Sequence, residues 1–390
     1  MKFLVLGAGR VGYAVAYDLI RSPRVEKVIV ADRDVKRVEV VQQRLTDEKV
    51  VPIELDVDNE DYIAELMNSA DVTISCVTFN HNYDLAKIAL QAKSHFVDLG
   101  GDEITLKKQF NLDEVAKDQG VTMIPNLGLA PGMAAILAHC AAESFDELYE
   151  IRIRVGGLPI EPDGLFMNYS LSASVDGLLN EYLGECAIIR DGKVYKVPAL
   201  TDLETVEFPK PIGKLEAFNT SGGVGTLHET YKDKVQHLDY KTLRYPGHCD
   251  QMKVIKDLDL FSAEPLKLAS GTEVVPREII RQKLTEKLSC DEPDMVLLRV
   301  TVTGVKERKP IQHVWECIDY GDEANGLSAM AKMTAFPASI IAQMIARGDI
   351  SERGVLRQES AVPVKLFLAE MAGRGISLTM VERSPVHEGS

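Results

Sequence analysis

Residues 1–32 constrain the fold more than any other part of the chain. An apolar strand, Lys2–Leu6, leads into Gly7-Ala8-Gly9-Arg10-Val11-Gly12, which opens a helix-like stretch. A second apolar strand, Val28–Ala31, then ends at Asp32. A GxGxxG pattern between a strand and a helix, with an acidic residue about 20 positions further on, is typical of dinucleotide-binding βαβ units. The segment therefore predicts both a parallel sheet and a dinucleotide site.

Each position of the glycine motif has a physical role. Gly7 allows the tight turn, and Gly9 lets the backbone approach the pyrophosphate. Gly12 lets the helix pack close to the sheet. The helix begins near Arg10 and Val11, where free backbone N–H groups attract phosphates. We therefore expect all five residues to bind the cofactor.

The acidic residue after the second strand bears on the choice of cofactor. Asp32 is expected to accept hydrogen bonds from the adenosine ribose and to repel a 2′-phosphate, which favours NAD. The neighbouring Arg33 could instead accommodate NADP. Because the acid stands at the expected position, we predict NAD as the cofactor.

Composition describes an ordinary folded protein of two domains. The chain has 390 residues, of which 45% are hydrophobic and 26% are charged, and this length suits two hydrophobic cores. No apolar run approaches the roughly 18 residues of a membrane span, and Met1 leads directly into the first strand. We therefore expect a cytoplasmic protein without a signal peptide.

Charge and cysteine content exclude several other classes of protein. The net charge of −15 disfavours binding to nucleic acid and to anionic membranes. The six cysteines form no CxxC motif and no metal-type spacing with histidine. We expect reduced thiols, no metal, and a small-molecule substrate.

Strands and helices continue to alternate past Asp32. Four further strands are predicted at Val50–Leu55, Val72–Ser75, His95–Leu99 and Val121–Ile124. The helical stretches between strands are Val35–Leu45, Tyr62–Asn68, Tyr83–Ala92 and Leu106–Asp118. Such alternation predicts an α/β fold with a doubly wound parallel sheet, a Rossmann domain.

Ligands of such sheets bind at the carboxyl ends of the strands. Asp56 and Val57 follow the third strand and are expected to border the adenine. Cys76 and Val77 follow the fourth and are expected to run along the inner ribose. Asp98 lies near the end of the fifth strand and is a candidate for cofactor contact, and also for a charge partner of a substrate amine.

The pattern changes after residue 130. Tyr149–Gly156 and Leu297–Val305 alternate polar and apolar residues with period two, and His313–Tyr320 is another predicted strand. These features predict an inserted α+β domain with a largely antiparallel sheet.

The domain boundaries follow from these patterns. Residues 1–128 form the predicted Rossmann domain, completed by C-terminal helices in 330–378, and residues 129–329 form the inserted substrate and oligomerisation domain. Residues 379–390 are predicted to be a frayed tail. The apolar helix Leu327–Arg347 and the inserted strands carry much apolar surface. We therefore expect a homodimer or larger homo-oligomer.

Two loops are candidates for binding or chemistry. The run Asn126-Leu127-Gly128-Leu129-Ala130-Pro131-Gly132-Met133 follows the sixth strand and places Pro131 beside the expected nicotinamide. A tight domain-crossing turn explains the same run at least as well.

The second loop, residues 242–250, brings Arg244 and His248 to one Pro-Gly turn. Arg244 could hold a carboxylate with its planar fork, and His248 could move protons near neutral pH. Tyr169 is a further candidate for the catalytic base.

Several motifs together resemble the saccharopine dehydrogenase-like oxidoreductases. These are GAGRVG at the start, FVDLGGD at 96–102, NLGLAPGM at 126–133, the GG of NTSGGVGTL at 219–227, and TLRYPGH at 242–248. The resemblance covers residues 1 to about 375, and APGM and RYPGH are its specific parts.

Within that family, the run RYPGHCDQM is similar to the lysine 6-dehydrogenase group. The resemblance implies NAD-dependent oxidation of the lysine ε-amine to 2-aminoadipate 6-semialdehyde and ammonia. Saccharopine and carboxynorspermidine dehydrogenases or reductases, which act on secondary amines, are the alternative enzymes. An NAD-binding regulatory module without turnover is the non-enzyme alternative.

Overall fold

The computed structural model describes residues 1–171, 174–289 and 292–384, which divide into two compact units. The first unit comprises Met1–Glu143, Gly225–Leu227 and Ala331–Leu378. The second comprises Ser144–Val224, His228–Met330 and the residues from Thr379 onward. The predicted boundary after residue 128 lies within the first unit, whose first segment ends at Glu143.

The strands are numbered along the chain. They are β1 Lys2–Leu6, β2 Lys27–Asp32, β3 Val50–Glu54, β4 Val72–Ser75, β5 His95–Asp98, β6 Thr122–Ile124, β7 Glu147–Pro159, β8 Glu185–Arg190, β9 Lys193–Pro198, β10 Glu204–Glu207, β11 Lys214–Asn219, β12 Val235–Arg244, β13 Leu266–Lys267, β14 Glu273–Val274, β15 Asp294–Lys306, β16 Lys309–Tyr320, β17 Gly354–Val355 and β18 Thr379–Arg383.

The α-helices are numbered in the same way. They are α1 Arg10–Ile20, α2 Val35–Leu45, α3 Glu60–Asn68, α4 Asn82–Ala92, α5 Glu103–Phe110, α6 Asp113–Gln119, α7 Met133–Ala142, α8 Val175–Leu183, α9 Leu227–Thr230, α10 His248–Asp257, α11 Pro276–Leu288, α12 Ala329–Arg347, α13 Gln358–Ala361 and α14 Val364–Gly373.

The first unit is a doubly wound parallel sheet, as the sequence predicts. Its strands run in the order β17-β6-β5-β4-β1-β2-β3, and the paired strands are parallel. The order reverses between β1 and β4, which is where ligands bind in such sheets. The glycine motif follows β1 and therefore lies at this switch point.

Local capping explains where several helices of this unit begin. The side chain of Asp34 accepts a hydrogen bond from the Lys36 N–H at the start of α2. Asn59 caps α3, and Asp102 caps α5 in the same way. Short acidic and amide side chains satisfy N–H groups that the first helical turn leaves unpaired.

The second unit is built on a mixed sheet that is mostly antiparallel. Its strands run β10-β11-β12-β7-β15-β16-β18, with β8 paired to β12 and β9 paired to β8. β12 and β7 pair in parallel, whereas β11 is antiparallel to β12 and β15 is antiparallel to β7. The predicted α+β class with a largely antiparallel sheet is confirmed.

Two predicted segments differ from the structure. The single helix predicted over Leu106–Asp118 is two helices, α5 and α6, since the first ends at Asn111 before Asp113 begins the second. The predicted frayed tail is a strand over Thr379–Arg383, because it pairs antiparallel with Gln312–Glu316 of β16. Residues 385–390 of that predicted tail lie outside the described residues.

Helix α12 bears on the argument for the predicted homo-oligomer. By length and composition alone it is apolar enough to cross a membrane, but 78% of its apolar window is buried inside the protein. The core helix of a soluble protein passes the same test, so this is weak evidence for a membrane span. Because its apolar side chains are already buried, α12 supplies no argument for assembly, and the homo-oligomer stays a prediction.

Candidate functional site

The turn after β1 has the shape that a dinucleotide pyrophosphate requires. Gly7 has a φ of +101°, and a Cβ atom there would lie 2.9 Å from the carbonyl oxygen of Cys76. A Cβ at Gly12 would lie 1.8 Å from the carbonyl oxygen of Gly7, so only glycine fits. At Gly9, no atom of the described residues lies within 4 Å of a built Cβ. The open space at Gly9 lets a phosphate approach the backbone.

The start of α1 completes this phosphate-binding turn, Gly7–Gly12, which we call the glycine cradle. The helix begins at Arg10 and continues through Val11. Gly9 precedes it at the N-cap position and has no side chain that could cap the first turn. Free N–H groups at the N-terminus of an 11-residue helix attract a phosphate. The motif therefore fits the pyrophosphate of a nicotinamide dinucleotide.

Asp32 is held in place by the same turn. Its Oδ2 atom accepts a hydrogen bond from the Ala8 N–H at 2.8 Å, and its Oδ1 atom accepts one from the Asp34 N–H at 2.9 Å. A carboxylate oxygen accepts more than one hydrogen bond, so Asp32 can still bind ribose hydroxyls. Arg33 beside it is exposed to solvent.

The other predicted cofactor residues lie at the carboxyl edge of this sheet or in loops of the same unit. Asp56 is exposed and accepts from the Asp58 N–H, and Val57 is half-buried. Cys76 lies beside the glycine turn, since its N–H donates to the Leu6 carbonyl oxygen at 2.7 Å, and Val77 follows it. Pro131 is half-buried, and its carbonyl oxygen accepts from the Gly128 N–H at 2.9 Å. Their contact with the cofactor stays a prediction.

Asp98 does not have the geometry expected of a charge partner for a substrate amine. Its side chain is fully buried. Oδ1 accepts from the N–H groups of Gly100 and Asn126 at 2.7 and 3.3 Å, and Oδ2 accepts from Nε2 of Gln109 at 2.6 Å. Burial raises the pKa of Asp98, and these hydrogen bonds oppose the rise. Asp98 therefore organises the loops after β5 and β6.

The second unit brings Arg244, His248 and Tyr169 into one cluster. The guanidinium of Arg244 lies over the ring of Tyr169, 4.7 Å from its centroid. The imidazole of His248 meets the same ring edge-on at 5.1 Å. All three side chains are buried. Three of the four predicted catalytic residues are therefore neighbours, whereas Asp98 belongs to the other unit.

Tyr182, which the sequence did not single out, joins this cluster. Its hydroxyl accepts a hydrogen bond from Nε of Arg244 at 3.1 Å and lies 3.0 Å from Nε2 of His248. Tyr182 belongs to α8, whose buried positions Val175, Leu178 and Leu179 precede it at helical spacing. That apolar spacing is typical of core residues, so nothing in the sequence indicated that the Tyr182 hydroxyl forms polar contacts.

The tautomer of His248 follows from its partners. Nδ1 lies 3.4 Å from the carbonyl oxygen of Met167, which can only accept, so Nδ1 carries the proton. Nε2 then accepts a hydrogen bond from the Tyr182 hydroxyl, which in turn accepts from Arg244. A chain of donors therefore runs from Arg244 through Tyr182 to a neutral His248.

This environment contradicts the expectation that His248 titrates near neutral pH. Burial, and then the positive charge of Arg244, lower the pKa of His248 to about 3. Its available nitrogen is also occupied by Tyr182. An imidazole with so low a pKa is a poor base for an ammonium group. His248 instead fixes the position of Tyr182.

Arg244 keeps its charge in this buried setting. Burial by itself would lower its pKa, but the oxygens of Tyr182 and Tyr169 and the carboxylate of Glu181 outweigh it, so the pKa stays above its ordinary value. Its Nη1 atom donates to the Leu243 carbonyl oxygen at 2.9 Å. Among the described residues, no carboxylate forms an ion pair with Arg244.

The other buried basic side chains of this unit are already neutralised. Arg154 binds both oxygens of Asp239, at 2.6 and 3.0 Å, and also binds Glu204. Lys241 binds Glu204 at 2.9 Å. A buried cation without a close carboxylate is costly unless an anion pairs with it. Arg244 is therefore a candidate anion site.

The lowered pKa of His248 predicts a pH dependence of stability. The unfolded chain takes up a proton near pH 6.5, whereas the folded protein stays neutral at this site down to about pH 3. Stability therefore falls as the pH falls between these values, by about 1.4 kcal/mol per pH unit. From pH 7 to pH 5, wild type should lose about 2 kcal/mol more than His248→Asn, measured by urea unfolding.

A second histidine of the same unit serves as the control. His237 lies on β12 and is exposed. The variant His237→Asn should keep the wild-type pH dependence. An equal loss of stability in wild type and His248→Asn would show that folding does not lower the pKa of His248 and would contradict this prediction.

Comparison with known families covers most of the chain. Residues 3–124 match the family described as "Saccharopine dehydrogenase NADP binding domain". Residues 128–376 match "Saccharopine dehydrogenase C-terminal domain". The first range contains the glycine cradle, and the second contains the cluster around Tyr182.

Curated relatives and one solved structure agree with these matches. Carboxynorspermidine synthase of Vibrio cholerae is 23% identical over 99% of this chain and 98% of that protein. The glutamate-forming saccharopine dehydrogenase of Pyricularia oryzae is 23% identical over 78% of this chain and 82% of its own length. Mitochondrial alpha-aminoadipic semialdehyde synthase of Bos taurus is 25% identical over 97% of this chain, which spans 47% of that relative. Apo saccharopine dehydrogenase from Saccharomyces cerevisiae has a TM-score of 0.81 at 19% identity, covering 98% of this chain and 100% of that one, and shares the fold.

Proposed function

The chain belongs to the saccharopine dehydrogenase family, and from that premise we propose that it oxidises the ε-amine of L-lysine with NAD. The products would be 2-aminoadipate 6-semialdehyde and ammonia. The family consists of oxidoreductases that bind a nicotinamide cofactor and act on amine donors. The choice of lysine as substrate and of NAD as cofactor is the proposal.

The observation that supports lysine is the one guanidinium of the cluster, which forms no ion pair with a carboxylate of the described residues, since Glu181 supports its charge only from beyond ion-pair distance. Arg244 is buried and carries its charge, while Arg154 and Lys241 are paired with carboxylates. Nε and Nη1 of Arg244 already donate to Tyr182 and to the Leu243 carbonyl oxygen, and the remaining N–H groups of the guanidinium suit the one carboxylate of lysine. A substrate with several carboxylates requires further unpaired cations, which the buried part of the described second unit does not supply.

The roles of the side chains follow from their contacts. Arg244 would bind the α-carboxylate and so orient the substrate chain, with Tyr169 and Tyr182 fixing the guanidinium plane. The ε-ammonium, with a reference pKa of about 10.4, must lose a proton before its carbon gives up hydride. The bound nicotinamide supplies the hydride acceptor. Water then converts the imine to the aldehyde and ammonia.

Isotope-labelled lysine tests this proposal. With NAD and L-lysine labelled with ¹⁵N at the ε position, the protein should form NADH and release one labelled ammonia for each NADH. Lysine labelled at the α position should release unlabelled ammonia at the same rate. No 2-oxoacid and no glutamate should form. Labelled ammonia from the α position would contradict the assignment of the reacting carbon.

A secondary-amine substrate is the second candidate. It is favoured by the carboxynorspermidine synthase of Vibrio cholerae, which aligns with this chain over almost the full length of both proteins. If saccharopine or carboxynorspermidine is oxidised while lysine is not, this candidate replaces the first. Binding of NAD without turnover of any of these amines would instead support the regulatory module.

Asp32 carries the proposal of NAD over NADP. A dianionic 2′-phosphate beside this carboxylate is repelled, and the backbone bonds from Ala8 and Asp34 prevent the carboxylate from turning away. We expect kcat/KM for NAD to exceed that for NADP by at least about 30-fold. The variant Asp32→Ser should move this ratio toward NADP by about 10-fold or more.

The neighbouring acid provides a matched control. Asp34 is exposed and caps α2, and serine is an equally good cap. Asp34→Ser removes the same charge two residues away and should leave the cofactor ratio nearly unchanged. A wild-type preference for NADP would mean that Arg33 dominates the choice.

A further inference from the structure

A buried carboxylate on β11 reaches the turn that carries Arg244 and His248. Glu216 is 7% exposed. Its Oε2 atom accepts from the Gly247 N–H at 2.8 Å, and its Oε1 atom accepts from the Cys249 N–H at 2.6 Å. The two donors stand on either side of His248. One side chain therefore binds the backbone both before and after this residue.

The helix that begins at His248 depends on this contact. Gly247 stands at its N-terminus with a φ of +95° and has no side chain to cap the first turn. The Cys249 N–H is one of the helix donors that no intrahelical carbonyl satisfies. Glu216 supplies the missing acceptor from another strand and places a negative charge at the positive end of α10.

The same contact leaves Arg244 available to an anion. Glu216 and Arg244 are directly paired residues of the antiparallel strands β11 and β12, so their side chains leave the same face of the sheet. Both oxygens of Glu216 are turned to the backbone N–H groups of the α10 start. The guanidinium donates instead to Tyr182. The nearest carboxylate on the partner strand thus does not neutralise Arg244.

We propose that Glu216 is a positioning residue that holds the start of α10 so that Arg244 and His248 meet at the Tyr182 hydroxyl. It forms no hydrogen bond or ion pair with either of these two side chains and acts through the backbone of the turn between them. As far as it concerns lysine binding, this inference rests on the proposed function.

The variant Glu216→Gln tests the inference with little change of shape. Its side-chain amide keeps one acceptor but presents an NH₂ group to the second backbone N–H, so the turn must shift. We expect KM for lysine to rise by about 10-fold or more, with kcat changing by less than about 3-fold. The dissociation constant of NADH, measured by fluorescence, should stay within about 2-fold because the cofactor cradle belongs to the other unit.

Asp294 provides the matched control for a purely structural cap. It caps α12 in the same manner, accepting from the N–H groups of Ala329 and Met330 at 2.5 and 3.0 Å. Asp294→Asn should lower the melting temperature as Glu216→Gln does and should leave KM for lysine unchanged. An equal rise of KM in both variants would overturn the positioning role.

A readout without substrate separates this inference from the proposed function. In NMR spectra of protein labelled with ¹⁵N-histidine, the ring signals of His248 report its tautomer and its hydrogen bond to Tyr182. These signals are assigned by their loss in His248→Asn. Glu216→Gln should shift these signals, and Asp294→Asn should not. Unchanged His248 signals in Glu216→Gln overturn the inference, even if wild type fails to oxidise lysine. If Glu216→Gln does not fold, Glu216→Asp, which keeps the charge on a shorter chain, is held to the same criteria.

Discussion

Replacement of Arg244 by methionine should lower kcat/KM for lysine by about 10²–10³-fold. The loss follows from removing one partner of a buried, charge-assisted carboxylate pair, which costs about 2–5 kcal/mol. Arg244→Lys keeps the charge but loses the planar fork, the bond to Tyr182 and the stacking on Tyr169. It should raise KM by about 30-fold. Steady-state kinetics with lysine as the varied substrate measures both effects, and the affinity for NADH should not change.

Arg299 is the matched control for these variants. It lies in the same sheet, stacks on the ring of Phe208 at 4.1 Å and binds Glu316 at 2.6 Å. Because its charge is already paired, Arg299→Lys should change KM for lysine by less than about 3-fold. Near wild-type kinetics for Arg244→Met would show that RYPGH is a structural turn, and the carboxylate site would have to be sought elsewhere.

The N-terminal half of the fold was predictable because its signals are local. The strand before Gly7, the helix after it and the spacing to Asp32 each depend on neighbouring residues, and the structure has all three. The strand Thr379–Arg383 was not predictable in the same way. It is exposed at all five positions and shows no buried face, so only its pairing with β16 defines it.

The candidate site was predictable only where its residues are close together in sequence. Arg244 and His248 flank a Pro-Gly turn and therefore stand out in sequence. Tyr182 lies 62 residues from Arg244, and Glu216 lies 31 residues from Gly247, so only the folded sheet brings them together. The hydrogen bonds of Asp98 could not be predicted, because a strand-end acid looks the same in sequence whether it faces a ligand or, as here, donors of the protein itself, and its contact with the cofactor stays a prediction.

A polar contact of the cofactor helix shows why the C-terminal helices belong to the first unit. Asp18 of α1 is 3% exposed. It binds Nε and Nη2 of Arg374, at 2.5 and 3.0 Å, and accepts from the Ser339 hydroxyl at 2.6 Å. The sequence predicted the return of these helices from their apolar character alone. The ion pair joins residues more than 350 positions apart and is invisible to periodicity.

Removing Arg374 should therefore destabilise the first unit strongly. Arg374→Met leaves the Asp18 carboxylate buried without its cation, which costs about 3–5 kcal/mol. Lys117→Met is the control, because Lys117 is exposed and solvent screens its pair with the half-buried Asp113, so this variant should lose far less stability. Urea unfolding, followed with a probe placed in the first unit, measures the loss in free energy of unfolding for both variants. The double variant Asp18→Leu/Arg374→Met removes both charges and should lose less stability than Arg374→Met alone. If Arg374→Met costs no more than Lys117→Met, Asp18 is solvated in solution and the C-terminal helices are held by apolar packing alone.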